Sequence, residues 1–347
     1  ERVCGICSHS HSTCFIQAVE ELANVRIPEK ASYIRALFGE LERIHSHLLW
    51  LGVAAHEIGF DTLLMYSWRD REVVMDLLAL LAGNRVNYTV NVIGGVRKDV
   101  TEEEKGQILK AVDILEERTK YYVRVATEEV SFIERLSKVG YISYEDALRL
   151  GAVGPTGRAS GIKRDVRKDD PYAAYEEIDF DVITDDHCDV YGRAVVRVKE
   201  LLQSYSIIRQ LIKKLPQTPL SVNVPKNIPA GEAVARYEAP RGEDIHYVKS
   251  NGTDKPDRVK LRAPTLANVQ AVAKMLENGN FADVPIVVAA IDPCFSCTDR
   301  MIVAANDVLS EKENRMTWKQ LREFSINWYK KNRGIDFSKI KKSDKHI

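Results

Sequence analysis

Polar and apolar positions along this chain fall mostly into helical periods. From Pro28 to about Leu51, the residues Ile34, Leu37, Phe38, Leu41, Ile44, Leu48 and Leu51 recur at spacings of three and four, and Pro28 suits a first helical turn. A second helix is predicted from about Trp68 to Leu81, stopped before Gly83. Thr101-Glu-Glu-Glu104 is a capping-box signature and opens a long helix to about Leu136. Ser143-Tyr-Glu-Asp146 repeats the signature for a short one, and Asp189 to Leu215 is a further long periodic stretch ending at Pro216. Between Ala233 and Arg262 the pattern changes to strands, with Asn251-Gly252 as a hairpin signal. Thr265 to Leu276 returns to helix, and one amphipathic stretch, Trp318 to Tyr329, interrupts the polar tail. The expected fold is therefore α+β and mostly helical: a bundle of long helices with a small antiparallel β region.

Two of the connecting loops are rich in Gly, Arg and Asp: Gly94-Gly-Val-Arg-Lys-Asp99, and Gly151 to Gly161 continuing through Asp165, Arg167 and Pro171-Tyr172. Arg97, Arg158 and Asp165 in these loops fit either a charged internal network, a contact with partner subunits, or plain solvation. The 347 residues are 45% hydrophobic and 29% charged, enough for a large core. Lys+Arg and Asp+Glu are both 50, so the net charge is +0, which lacks the basic footprint of a nucleic-acid binder. The longest apolar runs, such as Ile286 to Ile291, are too short to cross a bilayer. Residue 1 is Glu and a dense motif follows at once, so a preceding segment is expected.

Cysteine placement changes the picture most. Cys4-Gly-Ile-Cys7 and Cys294-Phe-Ser-Cys297 are C-x-x-C pairs at opposite ends of the chain, while Cys14 and Cys188 stand alone. Two such pairs point to a soft metal held by thiolates in a reducing compartment. A zinc staple is the plain reading, although zinc ribbons usually keep their pairs within about 20 residues of each other. The lone cysteines read as packing residues.

The stretches Glu1-Arg-Val-Cys-Gly-Ile-Cys-Ser-His-Ser-His11 and Asp292-Pro-Cys-Phe-Ser-Cys-Thr-Asp-Arg300 resemble the paired signatures of NiFe hydrogenase large subunits, R-x-C-G-x-C-x-x-x-H and D-P-C-x-x-C-x-x-H/R. The likeness is most specific to the membrane-bound, energy-converting branch of Ech-type and formate hydrogenlyase complexes. Supporting stretches are Glu40-Leu-Glu-Arg-Ile-His-Ser-His-Leu-Leu49, Gly83-Asn-Arg85, Gly94-Gly-Val-Arg97 and Tyr237-Glu-Ala-Pro-Arg-Gly242, so residues 1–300 are covered.

This resemblance implies a Ni–Fe centre joining the two motifs. Cys4 and Cys294 would be terminal nickel ligands, Cys7 and Cys297 would bridge nickel and iron, and the iron would carry CN and CO. His11 would donate a hydrogen bond near the metals, Arg241 would hang over the open nickel position, and Asp292 would pair with it. Each also has a plain reading: a satisfied core histidine, a surface arginine, a turn-starting aspartate. His9 reads as a core histidine, and His45 and His47, two apart on one helix, are expected to face different sides with one inward.

The family's proton-relay glutamate lies upstream of the first motif, and Glu1 is not assigned that role. Arg300 stands where many hydrogenases carry a cation-binding His, and arginine cannot ligate a metal.

With no further cysteine cluster for an Fe–S centre in this chain, the resemblance implies a small 4Fe-4S partner subunit. It further implies ion-translocating membrane subunits, a ferredoxin or formate-dehydrogenase module, and a maturation endopeptidase. That enzyme would cut after Arg300, removing residues 301–347 as an extension to a hydrogenase domain of residues 1–300. The location implied is peripheral, on the cytoplasmic face of the cell membrane, with no nucleic acid. Arg158-Ala-Ser-Gly161, Asp165-Val-Arg167 and Pro171-Tyr172 fit the quinone-site subunit of respiratory NADH:quinone oxidoreductase equally well, but that protein lacks the cysteine quartet.

Overall fold

A computed structural model of the chain describes residues 1–298, the pairs 305–306 and 313–314, and residues 317–334. Residues 1–298 form one compact unit and 299–347 a second.

The first unit opens with the loop that carries Cys4 and Cys7, followed by helix α1 (Ser8–Leu22), α2 (Glu29–Glu57) and α3 (Asp61–Ala82). A two-residue ladder, β1 (Asn91–Val92) with β2 (Gly95–Val96), precedes α4 (Glu102–Glu128) and α5 (Val130–Leu136). Short helices α6 (Tyr144–Arg149), α7 (Gly154–Arg158) and α8 (Val166–Asp169) shape the Gly-rich loop, and α9 (Val190–Lys214) returns through the core. Then come β3 (Gly231–Ala239), β4 (Gly242–Ser250) and β5 (Pro256–Arg262), α10 (Pro264–Met275) and α11 (Val284–Ala290), which delivers the chain to Cys294.

The long periodic stretches do become long helices. Helix α2 starts at Glu29, with Pro28 as its N-cap residue rather than in its first turn, and runs on to Glu57 because Trp50, Leu51, Ala54 and Ala55 are still in the core. Helix α3 begins seven residues before Trp68, at Asp61, where Leu63 and Ser67 are buried. The capping box at Thr101 is formed: its hydroxyl accepts from the Glu104 N–H, and the Glu104 carboxylate accepts from the Thr101 N–H. The expected single helix to Leu136 is two helices. Glu129 has an extended backbone, and the redirected chain lets Phe132 and Leu136 reach the core.

Helix α1 has no counterpart among the predicted helices. Its Cys14, Ala18 and Val19 pack on Ala233, Ala235, Tyr237 and Val248 of the sheet, so its apolar surface is matched to a sheet more than 200 residues away in sequence. The sheet is antiparallel in the order β3-β4-β5. Its tighter turn is Pro240-Arg241, which pairs Ala239 with Gly242, whereas the Asn251-Gly252 signal sits in the longer turn between β4 and β5.

Helix α2 lies against α1, α3, α9 and α11, so it has no solvent side over most of its length. Both His45 and His47 are therefore buried, which corrects the expectation that only one would point inward. Charges on this helix are matched from neighbouring elements. Glu40 accepts from Arg167 at 2.9 Å, Tyr175 at 2.6 Å and Ser204 at 2.6 Å. His47 meets Glu200 at 2.8 Å, and Glu200 in turn accepts from Arg158 Nε at 2.9 Å. Arg158 also reaches Glu238 at 2.8 Å, and Arg167 clasps Asp165 at 2.7 Å. Of the three loop charges, Arg158 and Asp165 thus form an internal network, while Arg97 is exposed. Removing one partner of such a buried pair costs about 3–5 kcal/mol, because the other charge is left unmatched.

In the second unit, a two-residue ladder joins Ala305–Asn306 to Glu313–Asn314, and helix α12 (Trp318–Arg333) follows a capping box at Thr317 and ends at left-handed Gly334. Phe324, Trp328 and Tyr329 of α12 are exposed. The amphipathic tail stretch is thus helical. Arg300, and the expected cut after it, lie outside the described residues.

Candidate metal centre

The Cys4 and Cys7 loop ends where α1 begins, and Cys294 and Cys297 follow α11, so two helix ends bring the chain's opposite extremes together. Cys4 Sγ lies 3.3 Å from Cys294 Sγ, Cys7 Sγ lies 3.3 Å from Cys297 Sγ, and Cys294 and Cys297 are 2.9 Å apart. All four sulfurs fall within 4.8 Å of one another. Three of these cysteines are buried and Cys297 is half-buried.

Backbone contacts fix both loops. The Ile6 N–H donates to Cys4 Sγ at 3.3 Å, and the Ile6 carbonyl accepts from His45 Nε2 at 3.1 Å, so a histidine of α2 pins the first loop. The Cys294 N–H donates to Thr265 Oγ1 at 3.0 Å, tying the second loop to α10. Asp292 takes a left-handed backbone, φ 55°, which turns the chain from α11 into the Pro293-Cys294 segment.

Arg241, in the β3–β4 turn, is buried. Its Nε–H donates to the Asp292 carbonyl at 2.7 Å, and Nη2 sits 2.9 Å from Asp292 Oδ1. Nη1 is buried without a hydrogen-bond partner among the described residues. Gly154 and Gly242 make this turn possible: a Cβ on Gly154 would stand 2.4 Å from the Arg241 carbonyl oxygen, and both glycines have positive φ. Arg241 and Asp292, with Cys4, Cys294, Trp50 and Trp68, line a cavity of about 800 Å³ with largely apolar walls.

Protonation within the quartet is unequal. Cys4 is held far below the ordinary thiol range, mainly by its bond to Cys294, and Cys294 is lowered to about 6, chiefly by Cys297. Cys7 and Cys297 are pushed well above that range, in each case first by Cys294. Four sulfurs this close cannot all carry charge against one another. Among the described residues, the guanidinium that lines the cavity beside them is that of Arg241, already paired with Asp292. Full deprotonation needs a further cation in their midst, and four soft donors suit a thiophilic transition metal.

His11 lies on α1 with Nε2 3.3 Å from Cys297 Sγ and Nδ1 3.0 Å from Asp244 Oδ2. It therefore lies next to the quartet. His9 is a satisfied core histidine: Nε2 donates to the Arg35 carbonyl at 2.8 Å. Cys14 is wholly buried against the sheet and Cys188 is buried, both away from the quartet. The sequence reading missed Asp244 and His246, which stand two apart on β4 and so share one face of the sheet. That i, i+2 spacing in a predicted strand was the available signal.

Comparison with known proteins fits this arrangement. Residues 57–229 and 221–300 match the family model for the 49 Kd subunit of respiratory-chain NADH dehydrogenase, and residues 1–52 match the model for nickel-dependent hydrogenase. The chain belongs to the family that unites these two groups, the 49 kDa-like subunits of respiratory NADH dehydrogenase and the large subunits of NiFe hydrogenases.

Among its relatives, the chain is 42% identical to the membrane-bound hydrogenase subunit alpha of Pyrococcus furiosus, with 90% of this chain and 78% of that protein covered. It is 35% identical to a component of the NADH-quinone oxidoreductase of Rhizobium etli, covering 86% and 81%. A chain in the structure of the membrane-bound sulfane sulfur reductase, an archaeal respiratory membrane complex, superimposes with a TM-score of 0.82 at 33% identity, covering 86% of this chain and 83% of that one. The mostly helical α+β fold of this chain is thus shared with that one.

Proposed function

We propose that this chain is the catalytic large subunit of a membrane-associated NiFe hydrogenase, interconverting H2 with two protons and two electrons. The observation that carries the reading is the convergence of four thiols from opposite chain ends beneath a buried arginine. The resemblance implies that the family's quinone-site members lack this quartet, although the chain is 35% identical to a component of such an oxidoreductase.

Cys4, Cys7, Cys294 and Cys297 would hold nickel, and Cys7 and Cys297 would also hold an iron bearing CN and CO. When bound, such a centre supplies a redox-active Lewis acid that polarises H2. The protein's own part is positional and electrostatic. Arg241 presents an unpaired Nη1 at the edge of the cavity, its orientation fixed by Asp292 through two contacts. A fixed, buried cation stabilises negative charge as it develops, without solvent reorganisation. His11 Nε2 lies 3.3 Å from Cys297 Sγ, and an Nε2–H donated there to the metal-bound thiolate would draw electron density from that sulfur. The cavity beside the quartet has mostly apolar walls, which suit the approach of a small apolar gas.

No helix among the described residues is long and apolar enough to cross a membrane. The relatives include subunits of membrane complexes, which supports a peripheral place in such an assembly. This chain would sit on the cytoplasmic face; a small 4Fe-4S protein would carry the electrons, with ion-translocating subunits in the membrane and a ferredoxin or formate-dehydrogenase module beyond it. A maturation endopeptidase would release residues 301–347 from the 1–300 domain. Metal analysis of the purified protein together with H2-dependent dye reduction tests the reading. Nickel with iron and H2 activity is expected; zinc in the quartet, or no metal and no H2 activity, overturns it.

A further inference from the structure

Beside the quartet lies a second group of metal-binding side chains that hydrogen bonding leaves unexplained. His11 Nδ1, Asp244 Oδ2 and His246 Nε2 form a nearly equilateral triangle: 3.0 Å from His11 to Asp244, 3.1 Å from His246 to Asp244, and 3.1 Å between the two imidazole nitrogens. Their exposures are 2%, 0% and 2%. No Lys or Arg among the described residues pairs with Asp244. Both of its oxygens lack an aligned hydrogen-bond donor despite the two nearby rings. A carboxylate so deeply buried and so poorly bonded is costly unless a positive charge meets it.

The contact of His11 with Cys297 narrows the choice. A neutral His11 that donates from Nε2 to Cys297 Sγ has a bare lone pair on Nδ1. That lone pair would face the Asp244 carboxylate at 3.0 Å, which is repulsive unless a cation lies between them. Donor atoms on neighbouring corners of a six-coordinate site, with bonds of about 2.1–2.2 Å, are about 3 Å apart, which is the triangle observed. Two histidines and one carboxylate on a single face are a donor set for divalent first-row metals with open positions. A ring that binds metal through one nitrogen commonly donates its other N–H to a neighbour, and His11 Nε2, 3.3 Å from Cys297 Sγ, is placed to do so.

We propose that His11 Nδ1, Asp244 Oδ2 and His246 Nε2 bind one divalent first-row transition-metal ion at a site separate from the cysteine quartet. The three donors come from two elements, α1 and β4, and the ion ties the helix that follows Cys7 to the sheet that carries Arg241. Bound there, it fixes the His11 tautomer so that Nε2–H faces Cys297. The site does not depend on what the quartet holds.

Co2+ titration of the full chain, freed of metal by chelation, tests the proposal. Cobalt bound to thiolates shows intense sulfur-to-metal charge-transfer absorption, whereas cobalt bound to imidazole and carboxylate shows only weak ligand-field bands. The wild type is expected to bind one equivalent of the second kind in addition to the thiolate-bound cobalt. Asp244→Asn and His246→Gln should each remove that equivalent and leave the charge-transfer bands in place. A wild type that saturates with thiolate-bound cobalt alone overturns the proposal, leaving a hydrogen-bonded His–Asp cluster, and this outcome needs no variant to fold. Retention of the weak-band equivalent in Asp244→Asn overturns it equally.

Discussion

Arg241 and Asp292, 51 positions apart in sequence, are joined by two contacts: Nε–H to the Asp292 backbone carbonyl at 2.7 Å and Nη2 to its carboxylate at 2.9 Å. The pair locks the β3–β4 turn onto the segment that carries Cys294. Burial works against the arginine's charge, but Asp292 and then the cysteines outweigh it, so Arg241 remains a cation. Arg241→Lys keeps the charge and loses the planar fork, so it cannot make both contacts. Metal content should stay near that of the wild type, while H2 turnover should fall by about 10²-fold or more. An unchanged rate would remove Arg241 from the mechanism.

The quartet gives a sharper contrast. Cys4→Ser, Cys7→Ser, Cys294→Ser and Cys297→Ser should each abolish H2 activity and lower bound nickel, since serine is a harder and more basic donor. Cys14→Ser and Cys188→Ser should leave activity largely intact, because both side chains lie outside the cluster. Full nickel and full activity in any quartet variant would contradict the assignment.

Gly154 links backbone conformation to the site. Its φ is +64°, and a Cβ there would stand 2.4 Å from both the Arg241 carbonyl oxygen and the Gly242 Cα. Backbone atoms cannot yield as a flexible side chain would. Gly154→Ala should lower stability by about 1–3 kcal/mol and reduce H2 turnover by shifting the Arg241 turn. Denaturant midpoints and turnover, measured together on the variant, check this; a midpoint and a rate both equal to those of the wild type would rule it out.

Burial of the α2 side chains makes stability depend on pH. Desolvation lowers His45 to about 3 and His47 to about 4, and it raises Glu42 to about 7. Below the ordinary histidine value of 6.5, unfolding therefore takes up two protons at the histidines. Above the ordinary glutamate value of 4.5 and below 7, unfolding releases one from Glu42. The unfolded state binds the net extra proton, so these three groups make stability fall by about 1.4 kcal/mol per pH unit on acidification between roughly pH 6 and 5. Urea unfolding across that range reads the slope, and His47→Gln should flatten it. Constant stability from pH 7 to 5 would contradict the neutral state of both buried rings.

The tail has its own test. If residues 301–347 are a maturation extension, the active, metal-loaded protein should end at Arg300, losing helix α12 with the rest. Intact-mass measurement decides this, and a mass that still includes Ile347 sinks the idea.

Periodicity and capping residues determined the long helices, because a helix's apolar stripe and its terminal hydrogen bonds are written within a few neighbouring residues. Thr101 with Glu104, and the apolar positions of α2, are of this kind. The two C-x-x-C pairs also marked the four thiols that meet in the fold, since the residue types and their spacing within each pair are local. Folding decided what depends on residues far apart in sequence. The burial of both His45 and His47 followed from the neighbours that surround α2, not from the helix's own pattern. The break at Glu129 followed from where Phe132 and Leu136 could be buried. Helix α1 was missed because its partner surface is a sheet more than 200 residues later. Asp244 and His246 carry two ordinary strand residues' worth of signal until α1 sets His11 against them. Distances between side chains on separate elements are fixed only when the core packs, and the geometry around the quartet is made of such distances.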